Sequence, residues 1–361
     1  MKVLSYADFS AKVHAASSKR RIPVSVGLDL TYRCNNRCVH CYCSLPQNDK
    51  TAADSELSTV EAGNLLDELA SMGSLWLLIT GGEPLLREDF GEIYLHAKEK
   101  GFLITLFTNG TLVDEKLTGL LSKYPPFAVE ISLYGATKET YEKVTRVRGS
   151  YERCLAGIRR LRESGIRLNL KTMALTINAH EITDMDRMAR EWGCRFRFDA
   201  AIQRRIDQNM FSEPERYRIS PAGVVKLDRM FPERMEGWRE FCDRFGDRQR
   251  GDDDLYICGA GQGSMHINPY GRAMGCIMMI RDGFSIREHG LSWIWEEGIP
   301  GVVLQKKNFH LACDECRLGS LCDECASWRI VEHGDIKKEV AYLCEIAKIR
   351  SRDFGFTGSV E

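Results

Sequence analysis

Three cysteines, Cys34, Cys38 and Cys41, stand close together in the run C-N-N-R-C-V-H-C. Three thiolates on one short loop can hold three irons of a cubic iron–sulfur cluster. Such clusters are ordinarily held by four thiolates, so the fourth iron would be open to a substrate or cofactor. A second array, Cys313, Cys316, Cys322 and Cys325, reads C-x2-C-x5-C-x2-C, with Cys258 and Cys276 before it and Cys344 after it. Paired C-x2-C motifs also mark structural zinc. The ordinary zinc-ribbon gap between pairs is about 15–20 residues, whereas five separate the pairs here. Seven cysteines also divide poorly into four-ligand sites, so iron–sulfur is the favoured reading. Of the other four, Cys154 and Cys194 sit in apolar patterns and read as core, while Cys43 and Cys242 stay open as further ligands.

The elements that must carry these residues follow from hydrophobic periodicity. Strand-type segments at 24–30, 75–80, 103–108, 128–133, 167–175 and 195–198 alternate with helical patterns near 59–72, 89–100, 114–122, 138–144, 151–164 and 182–192. Ser58 with Glu61 forms a capping box at the first helix. Gly101, Gly165 and Gly193 each end a helix before a strand. Six such units predict a parallel sheet with helical crossovers, an α/β fold of the open, partial (β/α)6 barrel type. Ligands bind at the C-terminal ends of strands in these folds. The cysteine loop, Gly81-Gly82-Glu83-Pro84 and Thr108-Asn109-Gly110-Thr111 follow the first three strands, and Ser132 lies at the end of the fourth.

The rest of the chain is read more coarsely. Residues 1–22 form an N-terminal extension, 23–202 the barrel domain, 203–257 a polar connector with one helix at 221–230, and 258–361 a cysteine-rich domain. Weak periodicity there, until a helix near 336–350, suggests a fold organised by metal. Gly259 to Gly263 reads G-A-G-Q-G but lacks the flanking strand and helix of a dinucleotide loop. The 361 residues are 43% hydrophobic and 28% charged, with net charge −1. That balance argues for neither nucleic acid nor an anionic membrane as partner. The arginines at 204, 205, 216 and 218 read as solvated surface. No apolar run approaches the ~20 residues of a membrane span, and residues 1–21 lack the apolar core of a signal peptide. A cytoplasmic protein with reduced cysteines is expected, in which thiols serve metals before disulfides.

On these motifs the chain resembles the radical S-adenosylmethionine superfamily over residues 24–200, and its SPASM subgroup, with auxiliary clusters, over 258–350. The resemblance implies that Cys34, Cys38 and Cys41 hold a 4Fe–4S cluster whose open iron takes S-adenosyl-L-methionine. One-electron cleavage then yields a 5′-deoxyadenosyl radical, the cofactor carrying the hard chemistry. Gly81, Gly82, Glu83 and Pro84 match the family's G-G-E-P. The glycines let backbone approach the cofactor, and a carboxylate or carbonyls accept from the methionyl ammonium. Thr108 and Asn109 match a segment facing the methionyl carboxylate or substrate, and Ser132 a ribose-contacting serine.

There are departures from the family's pattern. His40 precedes the third cysteine where an aromatic is usual, and reads as packing without ligation. Ser132-Leu133-Tyr134-Gly135 replaces S-L-D-G, and Thr145 replaces an arginine for which Arg146 or Arg148 could substitute. Lys171 is left open between a cofactor role and a solvated or salt-bridged one.

By the same resemblance, Cys313, Cys316, Cys322 and Cys344 complete one auxiliary cluster. Cys258, Cys276 and Cys325 hold a second, whose fourth ligand is not evident. Gly271 stands five positions before Cys276 as in the SPASM pattern, while Cys325 comes one residue early. Asp323 and Glu324 read as solvated.

The implied function is oxidative modification of a ribosomally made peptide, by crosslinking, epimerisation or a related reaction. The alternative is a small cofactor precursor, a tetrapyrrole or pterin, as substrate. A non-enzymatic zinc scaffold or electron carrier leaves G-G-E-P unexplained. Ile277 follows Cys276 where sulfatase maturases carry an acidic base, and no catalytic acid or base is assigned. Implied partners are a peptide substrate, a separate leader-peptide-binding protein, since only ~22 residues precede the first strand, and an electron donor such as flavodoxin or ferredoxin.

Overall fold

The computed structural model describes residues 5–207, 212–245, 254–256 and 258–354. Six parallel strands run β1 (Ser25–Thr31), β2 (Trp76–Gly81), β3 (Leu103–Thr108), β4 (Ala128–Ser132), β5 (Leu168–Met173) and β6 (Arg195–Asp199), neighbours in that order. In β3 burial alternates, with Ile104, Leu106 and Thr108 inside, the period of a strand covered on one face. Each expected strand is present, its ends moved by no more than a few residues, so the α/β partial barrel stands.

The crossover helices follow the same logic. The first, Thr59–Ser71, buries Ala62, Leu65, Leu66 and Leu69, the i, i+3, i+4, i+7 stripe of a helix packed on a core. Ser58 and Glu61 close the expected capping box.

The cysteine-rich region extends this sheet. A seventh parallel strand, β7 (Ser264–Ile267), pairs with β1, placing His266 opposite Gly27. Two short antiparallel strands, β8 (Arg272–Met274) and β9 (Phe284–Ser285), continue outward to a nine-stranded sheet. These strands are too short to leave a period-2 signal.

The expectation of a region organised by metal needs correction. Met265, Ile267, Met274, Ile294, Trp295, Trp328, Leu343 and Ile346 join the same apolar core as the barrel. The last helix, Ala341–Phe354, starts later than expected, because Gly334 in the left-handed region ends the helix Ala326–His333 and a turn intervenes. A helix at Tyr6–Arg20 and a second connector helix, Pro232–Phe245, were not foreseen. The expected connector helix lies at Pro221–Met230.

Charged side chains lock the connector to both flanks. Asp228, fully buried, accepts from Arg350 at 3.0 Å and Arg234 at 2.7 Å. Arg218, expected to be solvated, forms a bidentate pair with Glu332 at 2.7 Å. Arg205 is likewise buried: it donates to the carbonyls of Cys41 and Ser44 and pairs with Asp207. No described helix is long and apolar enough to cross a membrane.

The packing yields a test. Leu66→Ala should lower unfolding free energy by about 2–5 kcal/mol, read by urea denaturation. The same change at exposed Val60 should stay within about 0.5 kcal/mol. Equal losses would contradict the assigned helix face.

Candidate cofactor cavity and cysteine clusters

A cavity of about 630 Å³ opens at the C-terminal ends of the strands. Its wall gathers Cys34, Cys38, Cys41, Gly81, Gly82, Thr108, Asn109 and Ser132, with Cys276 contributed by the cysteine-rich region. The sulfurs are furnished with donors. The Asn36 backbone N–H donates to Cys34 Sγ at 3.4 Å, and the Asn109 side chain points at the same sulfur from 3.8 Å. The Ser44 amide donates to Cys41 Sγ at 3.3 Å. The Cys43 side chain, with Ser44, brings the Cys41 thiol down to about 6, while burial pushes Cys34 and Cys38 up. Buried thiols of that kind ionise when a cation takes the charge, as iron does.

The two glycines have a structural cause beside the expected one. Gly81 has φ 124°, and a Cβ there would lie 2.2 Å from the Thr31 carbonyl oxygen. A Cβ at Gly82 would lie 2.4 Å from that of Arg33. Their absence lets the loop lie on the base of the cysteine loop, where Gly82 N–H donates to Thr31 O at 2.7 Å and Glu83 N–H to Arg33 O at 2.9 Å.

Glu83 and Pro84 are not among the residues lining the cavity, and the Glu83 carboxylate, expected as a methionyl-ammonium acceptor, is engaged within the protein. Fully buried, it accepts from Thr108 Oγ1 at 2.8 Å, Leu85 N–H at 3.2 Å and Asn109 N–H at 2.7 Å. Asn109 passes the connection on to Asn35 at 2.8 Å and accepts from Thr111. One buried carboxyl thereby ties three loops together.

Other sequence-marked residues fall as follows. His40 meets Tyr134 edge-on at 4.8 Å, and burial lowers its imidazole to about 4. Two of the departures from the family pattern are thus one contact. Lys171 lines the cavity with Nζ 2.9 Å from the Phe107 ring centroid, lowered by burial and then by Arg197. Among the described residues it forms no ion pair. Thr145 is buried against Ser150, Arg146 reaches the Tyr217 hydroxyl, and neither Arg146 nor Arg148 lines the cavity.

Sequence reasoning missed three features. Asn36 is buried at the cavity wall with both amide atoms unpartnered among the described residues. Arg205 clamps the cysteine loop from behind. His266 lies 2.8 Å from the buried Asp29. The spacing of the cysteines drew attention from their polar neighbours.

The C-terminal cysteines form two groups. Cys344 feels Cys313, Cys322 and Cys316, whereas Cys325 feels Cys276 and Cys258. Cys43 is buried beside Cys41, and Cys242 packs with Leu318 and Leu321 beside Cys322. The expectation of solvated acids fails at Glu324. It is buried, accepts from Arg329 and Val340 N–H, and lies 3.0 Å from Cys313 Sγ. Burial pushes it up, but these donors hold it at about 2. Asp323 faces Arg350 at 3.4 Å.

An open parallel barrel with a thiol triad and glycine loop at its C-terminal rim places the chain among partial-barrel α/β proteins. Residues 28–189 match the Radical SAM superfamily, and this part of the chain belongs to it. Over 168 residues the chain is 38% identical to the Fe-coproporphyrin III synthase of Methanosarcina barkeri, covering 46% of this chain and 40% of that protein. It therefore spans less than half that relative's length. It is 26% identical over 317 residues to the mycofactocin maturase MftC of Mycolicibacterium smegmatis, covering 81% and 75%. The fold is similar to that of Streptococcus suis SuiB bound to the precursor peptide SuiA, with TM-score 0.68 and 17% identity over 93% of this chain and 80% of that one.

The superfamily implies S-adenosylmethionine and a 4Fe–4S cluster, and the cavity fits both. Three thiols face it, and the orphaned Asn36 amide has hydrogen bonds to give a polar ligand. Among the described residues no three His, Cys, Asp or Glu side chains are arranged to hold a single metal ion.

Burial pushes Glu83 up to about 7 against the hydrogen bonds it accepts. Its unfolded counterpart ionises near the ordinary 4.5. Between these values the unfolded chain binds fewer protons, so stability falls as pH rises. Relative to Glu83→Gln, the wild type should lose about 3 kcal/mol between pH 4.5 and 7. Denaturation of both proteins at pH 5 and pH 8 measures this, and parallel curves would refute it.

Proposed function

We propose that the chain is a radical S-adenosylmethionine enzyme that oxidatively modifies a ribosomally made peptide. The observation that carries the reading is the convergence on one cavity of the thiol triad, the two loops tied by Glu83, and Cys276 from the other cysteine group. When bound, the cluster and S-adenosylmethionine supply a hydrogen-abstracting radical. Cys34, Cys38 and Cys41 would hold the cluster, with Arg205 and the Ser44 amide fixing their loop. Asn36, Thr108, Asn109 and Ser132 would orient the methionyl and ribose groups, and Gly81 and Gly82 keep that wall in place. Phe107, Tyr134 and Met173 exclude water from the reacting end.

Cys313, Cys316, Cys322 and Cys344 would hold one auxiliary cluster, and Cys258, Cys276 and Cys325 another. Cys276 lines the cavity, so the latter would lie beside it, a position suited to taking an electron from substrate. The match along most of the chain to a maturase, and the likeness of fold to a protein crystallised with its precursor peptide, support the peptide reading. A separate leader-binding protein and a flavodoxin or ferredoxin complete it. The second reading, a tetrapyrrole substrate, draws on the 38% identity to Fe-coproporphyrin III synthase.

Alanine at Cys34, Cys38 or Cys41 should abolish 5′-deoxyadenosine formation while leaving the C-terminal iron in place; normal formation in any one would remove the assignment. Cys313→Ala or Cys344→Ala should lower iron content and melting temperature, since a group that binds only the folded state adds to its stability. Full iron with unchanged melting would show the ligand set to be wrong. Anaerobic mass spectrometry with candidate precursor peptides and with iron coproporphyrin separates the substrate readings. Turnover of the porphyrin alone would decide for the second.

A further inference from the structure

An oxidation that removes hydrogen from a substrate must dispose of a proton as well as an electron. The position after Cys276 holds Ile277, so no carboxylate stands there to accept it. Four basic side chains line the cavity; Arg197, paired with Glu130, stays charged, which leaves His40, Lys171 and His266 as possible acceptors. The His40 ring is committed to Tyr134, and Lys171 lies on the face of Phe107. Of the three, His266 is the one held by a carboxylate.

His266 Nε2 lies 2.8 Å from Asp29 Oδ2. Asp29 is fully buried, and its other oxygen has no partner among the described residues. A buried carboxylate accepts a proton donor far more readily than it faces a lone pair. Nε2 therefore directs its hydrogen at Asp29, and Nδ1 is the nitrogen left to exchange a proton with a ligand. Nδ1 has no partner among the described residues, and it lies over Gly27, which also lines the cavity. A Cβ on Gly27 would come within 2.6 Å of it. A glycine inside a strand weakens the strand and marks a close approach; here it makes room for this ring.

We propose that His266, oriented by Asp29, is the proton acceptor of the cavity, taking a proton at Nδ1 from an N–H, O–H or activated C–H of the bound substrate. The inference rests on reading the cavity as a site of substrate oxidation. In the step the X–H bond breaks and its electron pair stays on the substrate. The proton forms a new N–H bond at Nδ1, and Nε2–H remains on Asp29. The imidazolium so formed is balanced by the Asp29 carboxylate. Asp29 acts through His266 and is a positioning residue.

The tautomer can be tested without a substrate. Diethyl pyrocarbonate acylates an imidazole nitrogen that presents its lone pair, and peptide mapping by mass spectrometry of the reconstituted holoenzyme locates the label. Labelling at His266 is expected, at neutral pH, at least tenfold faster in the wild type than in Asp29→Asn, whose amide permits the opposite tautomer. Gly27→Ala, which keeps both partners but displaces the ring, should slow labelling to a similar degree and serves if Asp29→Asn does not fold. Overall iron content and labelling of the exposed His180 report that each variant is intact. Absence of label at His266 in the wild type, or wild-type rates in the intact variants, would overturn the proposal.

With a turned-over substrate in hand, His266→Gln should lower kcat at least a hundredfold with KM within threefold. An unchanged kcat would count against the proposal as well. If the wild type turns over no substrate, the reading of the cavity fails, while the labelling result still decides the state of His266.

Discussion

Two backbone hydrogen bonds, Gly82 to Thr31 and Glu83 to Arg33, hold the site together. They form where two strand ends lie too close for any side chain at positions 81 and 82. From this contact Glu83 is carried into the interior, beneath Thr108 and Asn109, and Asn109 in turn reaches Cys34. The end of β1, the loop after β2 and the loop after β3 are therefore one rigid unit. A thiol triad set on this unit is preorganised, because none of its supports can move without breaking a buried hydrogen bond.

The second half of the site depends on a different kind of constraint. β7 pairs with β1 in parallel register, so the cysteine-rich region is a continuation of the sheet. This brings His266 over Gly27 and Cys276 to the cavity mouth. Arg218 with Glu332 and Arg350 with Asp228 fasten the same region to the connector. These buried pairs need good geometry to offset their desolvation, and the bidentate arrangement of Arg218 supplies it. The cavity is consequently walled by two parts of the chain far apart in sequence.

Much of this was legible in the sequence, and the reasons are physical. β1 to β6 show because each is long enough to carry period-2 burial between helices with clear apolar stripes. Cys34, Cys38 and Cys41 show because ligand spacing on one loop survives without tertiary context. The strands β7 to β9 do not show, since two to four residues carry no period. The buried charges misled for a related reason. Glu324, Arg205 and Arg218 look like surface residues until their partners, distant in sequence, are known. Glu83 shows for its motif, but its ties to Thr108 and Asn109 do not, because the tetrapeptide does not disclose which groups stand behind it.

The pairing of β7 with β1 also governs how the chain comes together as it is made. The strand carrying the thiol triad keeps one edge bare until residues 264–267 have left the ribosome. A sheet closed by so distant a segment forms late and slowly, since the intervening loop must be closed first. Until then the triad's loop lacks its neighbour on that flank. Synthesis itself sets an order of assembly, in which the triad's loop is made before the wall bearing Cys276 arrives.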